Sequence, residues 1–210
     1  MRIVAGEWRG RKLAEPRGRA VTRPTTDRVR EAMASMVDAA LPDGIEGARV
    51  LDAFAGSGAL GLEMLSRGAA FTTFFDIDRG AAALVGKNLE AFSCSRSRYH
   101  VVTGDVLAAS ARGRVPGAPF DLVLVDAPYA LGAAPAVELL EGLAATGSLA
   151  PGALALVEHA ASDDGARPAG FGVVREKRYG GTAVDLLRLE DGGSRAPAST
   201  DPAAPTGGRA

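Results

Sequence analysis

The stretch "VLDAFAGSGALG", Val50 to Gly61, decides the fold. A short apolar run ends on Asp52, and Gly56, Gly58 and Gly61 follow in G-x-G-x-x-G spacing before a segment of helical character, 59–68. Glycine at such a turn lets the backbone bend tightly and approach a ligand, while the helix start offers unpaired N–H groups. The next apolar run, "AFTTFFDID", carries Asp76 near its end, twenty positions after Gly56. A carboxylate at that spacing suits the paired hydroxyls of a ribose. The loop is therefore expected to hold a nucleoside-containing ligand, the alternative being a tight turn that binds nothing.

Asp52 narrows the choice of nucleoside. A carboxylate beside the loop repels the pyrophosphate of a dinucleotide and attracts an α-ammonium group. S-adenosylmethionine carries that ammonium and a sulfonium, and it has no phosphate. It is the expected cofactor. Asp105 in "VVTGDVL" stands after the third strand, placed to meet an adenine amino group or to cap the following helix, two compatible roles. Asp78 reads better as a cap for the helix from Arg79 than as a second ribose ligand. With Phe54 in the loop, the donor-binding set is Asp52, Phe54, Gly56, Gly58, Asp76 and Asp105, and no metal is expected.

Outward from the loop, the apolar runs "RVLDAF", "AFTTFFDID", "YHVVTGD", "FDLVLVDAP" and "ALALVEH" alternate with helical segments at 59–68, 79–93, 105–112 and 133–146. That alternation predicts βαβ units and an α/β fold, Rossmann-like, with a mainly parallel sheet covered on both faces. "FGVVREKRY" and "TAVDLLRLE" are joined only by Gly180-Gly181, which permits nothing but an antiparallel hairpin. Upstream, "RIVAGEWRGRKL" reads as a small hairpin. "RPTTDRVREAMASMVDAAL" opens a helix capped by Thr25 or Thr26, with Val29, Met33, Met36, Val37 and Ala40 on one face. The expected divisions are 1–45, a basic extension; 46–190, the catalytic domain; and 191–210, a Pro/Gly/Ala/Ser-rich tail with almost nothing to bury.

The fourth strand ends in "VDAPY", Val125 to Tyr129, on the same carboxyl edge as the glycine loop. An exocyclic amino group is a poor nucleophile because its lone pair is delocalised into the base. Two acceptors aimed at its hydrogens draw the nitrogen toward tetrahedral geometry. Asp126 supplies one acceptor and the main-chain oxygen of Ala127 the other, held by Pro128, which restricts the residue before it. Tyr129 offers a ring for stacking on an extruded base. Turns use the same residue types, so the motif gains its meaning from standing downstream of the Asp52, Gly56, Gly58 and Asp76 set.

Charge points to the partner. Of 210 residues, the first 30 hold nine Lys/Arg against Glu7, Glu15 and Asp27, although the whole chain sums to −1. A basic arm on an acidic body suits a polyanion, and Arg9, Arg11, Lys12, Arg23 and Arg28 are its candidate contacts to one. The bland reading is a solvated basic surface. One cysteine, Cys94, excludes an internal disulfide framework, and no apolar run is long enough to span a bilayer. A cytoplasmic monomer without membrane partners is expected. His100, His159, Met33 and Met36 read as structural, and Trp8 as packing or RNA stacking.

The arm, "RPTTDRVREAM", "LDAFAGSGALGLEMLSRGA", "FDID" and "FDLVLVDAPY" together resemble the RsmD family of bacterial 16S rRNA (guanine-N2)-methyltransferases, over roughly residues 2–190. The resemblance implies a class I methyltransferase fold with a seven-stranded sheet, an N-terminal extension contacting RNA, and methylation of one guanine of 16S rRNA within the small ribosomal subunit. It implies that Asp52, Gly56, Gly58 and Asp76 hold the donor, that Asp105 lies near its adenine, and that Asp126, Pro128 and Tyr129 face the base. Ala127 departs from the family's Asp-Pro-Pro-Phe/Tyr pattern, which puts the stiffness of the turn in question more than the chemistry. Other classes stay in play: an adenine-N6 methyltransferase, a nicotinamide-dependent oxidoreductase, and a non-catalytic rRNA-binding assembly factor that keeps a donor pocket.

Overall fold

The computed structural model describes residues 1–15 and 26–190. The expected tail, Thr25 and Arg23 lie outside them. Helix α1 (Asp27–Ala40) is followed by β1 (Arg49–Asp52), α2 (Ala59–Ser66), β2 (Phe71–Asp76), α3 (Arg79–Ala91), β3 (Tyr99–Thr103), α4 (Val106–Ser110), β4 (Phe120–Val125), α5 (Ala134–Ala145), β5 (Leu149–Ala160), β6 (Phe171–Tyr179) and β7 (Thr182–Leu189). The seven strands form one sheet in the order β3-β2-β1-β4-β5-β7-β6. β1 to β5 pair in parallel, while β7 runs antiparallel between β5 and β6. The fold is the class I methyltransferase form of the Rossmann-like architecture.

Strand alternation builds the layers. Val50, Leu122, Leu124, Leu154 and Leu156 face one way, packing with Met33, Met36 and Val37 of α1 and Met64 of α2. Leu51, Val123, Val125, Ala155 and Val157 face the other way, against Leu139, Leu140 and Leu143 of α5. Near-continuous apolar strands are what burial on both faces requires. β5 starts earlier than the run "ALALVEH" indicates. Its first residues include Pro151 and Gly152 (φ +67°), which read as loop, and the pairing with β4 shifts register there, from Phe120–Leu149 to Leu122–Leu154.

Caps fall where polar side chains compete for backbone donors. Thr26 caps α1 through the Val29 amide, and Asp78 caps α3 through the Gly80 and Ala81 amides at 2.6 and 3.0 Å.

The N-terminal segment folds back on itself with one antiparallel bridge, Arg2–Lys12, and it is firmly docked. Ile3, Trp8 and Leu13 are buried against Leu62 and Leu65 of α2 and Val85, Leu89 and Phe92 near α3. Underneath, the buried Glu63 carboxylate accepts the Val4 and Ala5 amides at 2.8 and 3.0 Å and pairs with Arg67 at 2.9 Å. Packing thus runs across the boundary drawn at residue 45. Trp8 packs on Phe92, with ring centroids 5.2 Å apart.

Candidate active site

The strand order reverses direction between β1 and β4, and their carboxyl ends flank a crevice, the usual ligand position in open α/β sheets. β1 places Asp52 there and β4 leads into Asp126. Asp52 is buried, and its Oδ2 accepts the Gly61 amide at 3.0 Å. Any Cβ at Gly61 would overlap the Phe74 ring and press on that same oxygen, so the third glycine serves the close approach of α2 to the carboxylate. Gly56 differs: its φ is +54°, and a Cβ built on it meets nothing within 4 Å. That open backbone leaves room for a ligand to approach the loop.

Asp76, at the end of β2, turns back to the loop. Its Oδ2 accepts the Gly56 amide at 2.8 Å and its Oδ1 the Asp78 amide at 2.8 Å. A carboxylate oxygen has two lone pairs, so both oxygens retain capacity for ribose hydroxyls. Beside it Ile77 is 76% exposed, the most exposed large apolar side chain described. Asp105 caps α4 through the Leu107 and Ala108 amides at 2.9 and 3.2 Å, both on Oδ1. Phe54 is half-buried and packs against the α5-side core.

The loop is also held from behind. Asn88, 1% exposed on α3, donates from Nδ2 to the Ser57 carbonyl at 3.0 Å and to the Ala14 carbonyl at 3.3 Å. Its Oδ1 accepts the Ala14 amide at 2.8 Å.

The crevice is crowded with acid. Burial, reinforced by the Asp76 charge and opposed by the Gly61 amide, pushes the Asp52 carboxyl up to about 7. Asp126 is reached by solvent at the mouth yet surrounded by protein on its other sides. That desolvation, with the charges of Glu158 and Asp52, holds it well above the usual carboxylate range. Both carboxyls are raised first by burial and then by neighbouring acids, so a cation placed among them would be stabilised. Next to it Ala127 is buried, and Pro128 has φ −55° and ψ 125°. The Tyr129 hydroxyl donates to Glu158 Oε1 at 2.8 Å and lies 3.1 Å from Thr182 Oγ1, while its ring stays 40% exposed. Desolvation is the chief reason its phenol is raised above the ordinary value. The turn is therefore tied to β5 and β7 by a hydroxyl.

The expected RNA contacts are spread differently. Arg9, Arg11, Lys12 and Arg28 are all exposed. Arg11 nevertheless has structural work: it sits 4.7 Å over the Phe92 ring and donates to the Ala91 and Phe92 carbonyls at the end of α3. His159 places Nδ1 2.9 Å from the Ala160 carbonyl and Nε2 3.4 Å from Asp185, a buried structural setting, and His100 meets the edge of Phe71. Sequence reasoning missed Asn88, Glu158 and Thr182. Each lies far along the chain from the motif it serves, and nothing local distinguishes them. Ile77, adjacent to Asp76 at a strand end, could have been found by its position. Among the described residues no helix is long and apolar enough to cross a membrane, and no three metal-ligating side chains gather.

Comparison with known proteins places this geometry. The chain is 38% identical to ribosomal RNA small subunit methyltransferase D of Escherichia coli K12 over 192 residues, 90% of each chain. It is 34% identical to the Haemophilus influenzae protein of that name, covering 86% of this chain and 89% of the other. A solved Escherichia coli structure, yhhF, described as a candidate methyltransferase, superposes with a TM-score of 0.75 at 36% identity, covering 90% of this chain and 98% of that one. Residues 1–188 match the family model described as Conserved hypothetical protein 95, and the chain belongs to that family, the RsmD family.

Proposed function

We propose that this protein transfers a methyl group from S-adenosylmethionine to the exocyclic N2 amino group of a guanine in 16S rRNA of the small ribosomal subunit. The coarser activity, methylation of ribosomal RNA, follows from the family and its named members. The observation that carries the finer reading is Asp126. A carboxylate stands at the mouth of a donor crevice, its pKa raised by burial and then by the charges of Glu158 and Asp52, beside a half-exposed aromatic ring.

The residues present fit the donor. Gly56 leaves an open cradle, Asp76 keeps lone pairs for a ribose, Ile77 offers an apolar surface to a base, and Asp52 and Asp126 gain from a nearby cation. A pyrophosphate among these acids would be repelled, which disfavours a dinucleotide. When bound, S-adenosylmethionine supplies an electrophilic methyl group on a sulfonium.

Tyr129 receives the face of the extruded guanine, and Asp126 and the Ala127 carbonyl accept its N2 hydrogens. Asp126 and the Ala127 carbonyl would thus hold N2 in line to take up the methyl group that a bound donor supplies, the donor leaving as the neutral thioether. The proton then shed by the cationic nitrogen passes to Asp126, whose raised pKa suits it to take one near neutral pH. Positioning supplies most of the acceleration. An aspartate, which only accepts when ionised, also matches a guanine edge that presents two adjacent donors, N1–H and N2–H. Adenine presents an acceptor at N1 beside its amino group, and this disfavours the adenine-N6 alternative. Thermal stabilisation by S-adenosylhomocysteine and none by NAD, followed by mass analysis of nucleosides from treated rRNA, tests the reading. N2-methylguanosine is expected, and N6-methyladenosine would replace the proposal with its alternative.

A further inference from the structure

The β6–β7 hairpin was not among the expected RNA contacts. β6 lies at the sheet edge, and Val173 to Arg178 are exposed along it. Paired residues on neighbouring strands project to the same side of a sheet. Arg175 pairs with Leu186 and Lys177 with Val184, both of which belong to the core under α1, so Arg175 and Lys177 lie on the α1 face. Arg178 pairs with Ala183 and lies on the opposite face, as does Glu176, which is engaged by Arg167 at 2.6 Å. Arg175 and Lys177 make no ion pair among the described residues.

The topology brings these cations to the site. Gly180-Gly181 turns the hairpin at the carboxyl edge, since Thr182 pairs with Ala160, the last residue of β5. Thr182 also pairs with Tyr179 and touches the Tyr129 hydroxyl. Lys177 is therefore two residues from a position paired with a direct neighbour of the strand-four turn. Arg28 stands exposed in the first turn of α1, the helix that covers this face of the sheet. The last residue of α1, Ala40, accepts from Arg188 at the far end of β7. Its 14 residues rise about 20 Å, which is also about the distance along β7 from Arg188 back to Thr182.

We infer that Arg175 and Lys177, with Arg28, form a cationic rim that holds RNA phosphates beside the catalytic mouth. This rests on the rRNA reading above. The charge pattern supplies the reason. Asp52, Asp76, Asp126 and Glu158 make the crevice repulsive to phosphate and receptive to a neutral base and a cationic donor. A rim of opposite sign keeps the backbone outside while the base enters. Charged residues also protect an edge strand from pairing with another chain, and that role alone would leave RNA affinity untouched.

The test compares the double variant Arg175→Gln/Lys177→Gln with Arg178→Gln, using small-subunit rRNA and titrating salt. Glutamine keeps the edge polar, and size-exclusion, S-adenosylhomocysteine binding and melting temperature confirm that each variant is intact. The double variant is expected to lose about tenfold in RNA affinity and to flatten the plot of log K against log salt by about 1.4–1.8, two phosphate contacts. Arg178→Gln, on the other face, is expected to leave the slope in place. An unchanged slope in the double variant, or an equal loss in Arg178→Gln, overturns the rim. Wild-type protein that binds donor but shows no salt-dependent affinity for rRNA would instead overturn the substrate reading.

Discussion

Asn88 holds the Ser57 carbonyl of the glycine loop at 3.0 Å while gripping both backbone polar groups of Ala14. One buried side chain thus joins the N-terminal segment to the glycine loop proposed to hold the donor. Its four-atom amide is matched to three backbone partners, a set no other residue type reproduces at that length. Asn88→Leu is expected to leave the Ser57 and Ala14 groups short of partners, lowering stability by about 2–4 kcal/mol. It should also weaken S-adenosylhomocysteine binding about tenfold at a temperature where the variant is folded. Calorimetric titration beside a melting curve checks this. A lower melting temperature with unchanged affinity would confine Asn88 to stability.

Gly6 marks the other anchor of that segment. Its φ is +81°, and a Cβ there would overlap the Ser66 carbonyl that accepts the Glu7 amide at 2.7 Å. Gly6→Ala is expected to cost about 2 kcal/mol or more through strain and overpacking. Chemical denaturation measures it, and a cost near zero would show that the segment is loosely held.

The Tyr129 hydroxyl bears on Ala127. A second proline would stiffen the turn, and here the bonds to Glu158 and Thr182 supply constraint instead. Tyr129→Phe keeps the ring and removes the tether. Methyl transfer should fall about 10- to 100-fold with donor affinity intact, about 1.5–3 kcal/mol for a hydrogen bond to a carboxylate. Single-turnover rates decide it, and wild-type rates in Tyr129→Phe would remove the tether from the account.

Acid–base behaviour follows from Asp52. Its carboxyl, raised to about 7 by burial, binds its proton more tightly in the folded than in the unfolded chain. The folded state therefore holds more protons between pH 4 and 7, and this group's contribution to stability falls as pH rises through that window. Above it the ionised carboxylate is a cost that a cationic ligand offsets. Donor binding should weaken below pH 7 and release a proton near that pH. Asp52→Asn, which can still accept the Gly61 amide, is expected to melt higher than wild type at pH 8 while binding donor at least tenfold more weakly. Equal affinity in the variant would contradict the pairing of Asp52 with the donor's ammonium.

Much of this architecture is legible in the chain because local and global signals agree. Alternating apolar runs and helical segments locate seven strands and five helices, and Gly180-Gly181 forces the terminal hairpin. The place of β7 between β5 and β6 is not legible, since two strands joined by a tight turn read alike in either order. Asp52, Gly56 and Asp76 could be found because strand, loop and helix fix their spacing. Asn88, Glu158 and Thr182 could not, because each meets its partner through the fold, 29 to 74 residues away along the chain. Charge marks Arg11 as a candidate polyanion contact, and the fold adds what charge does not show, its guanidinium packed on Phe92 and the end of α3.

The central claim concerns Asp126, and labelled methyl transfer tests it most directly. Small ribosomal subunits lacking the modification would be incubated with S-adenosylmethionine and either wild-type protein or Asp126→Ala, and the product mapped by mass. The account predicts one N2-methylguanine with wild type, and a loss of at least a thousandfold in Asp126→Ala with S-adenosylhomocysteine affinity nearly unchanged. Near-normal transfer by Asp126→Ala, or a methyl group on another atom, would contradict it.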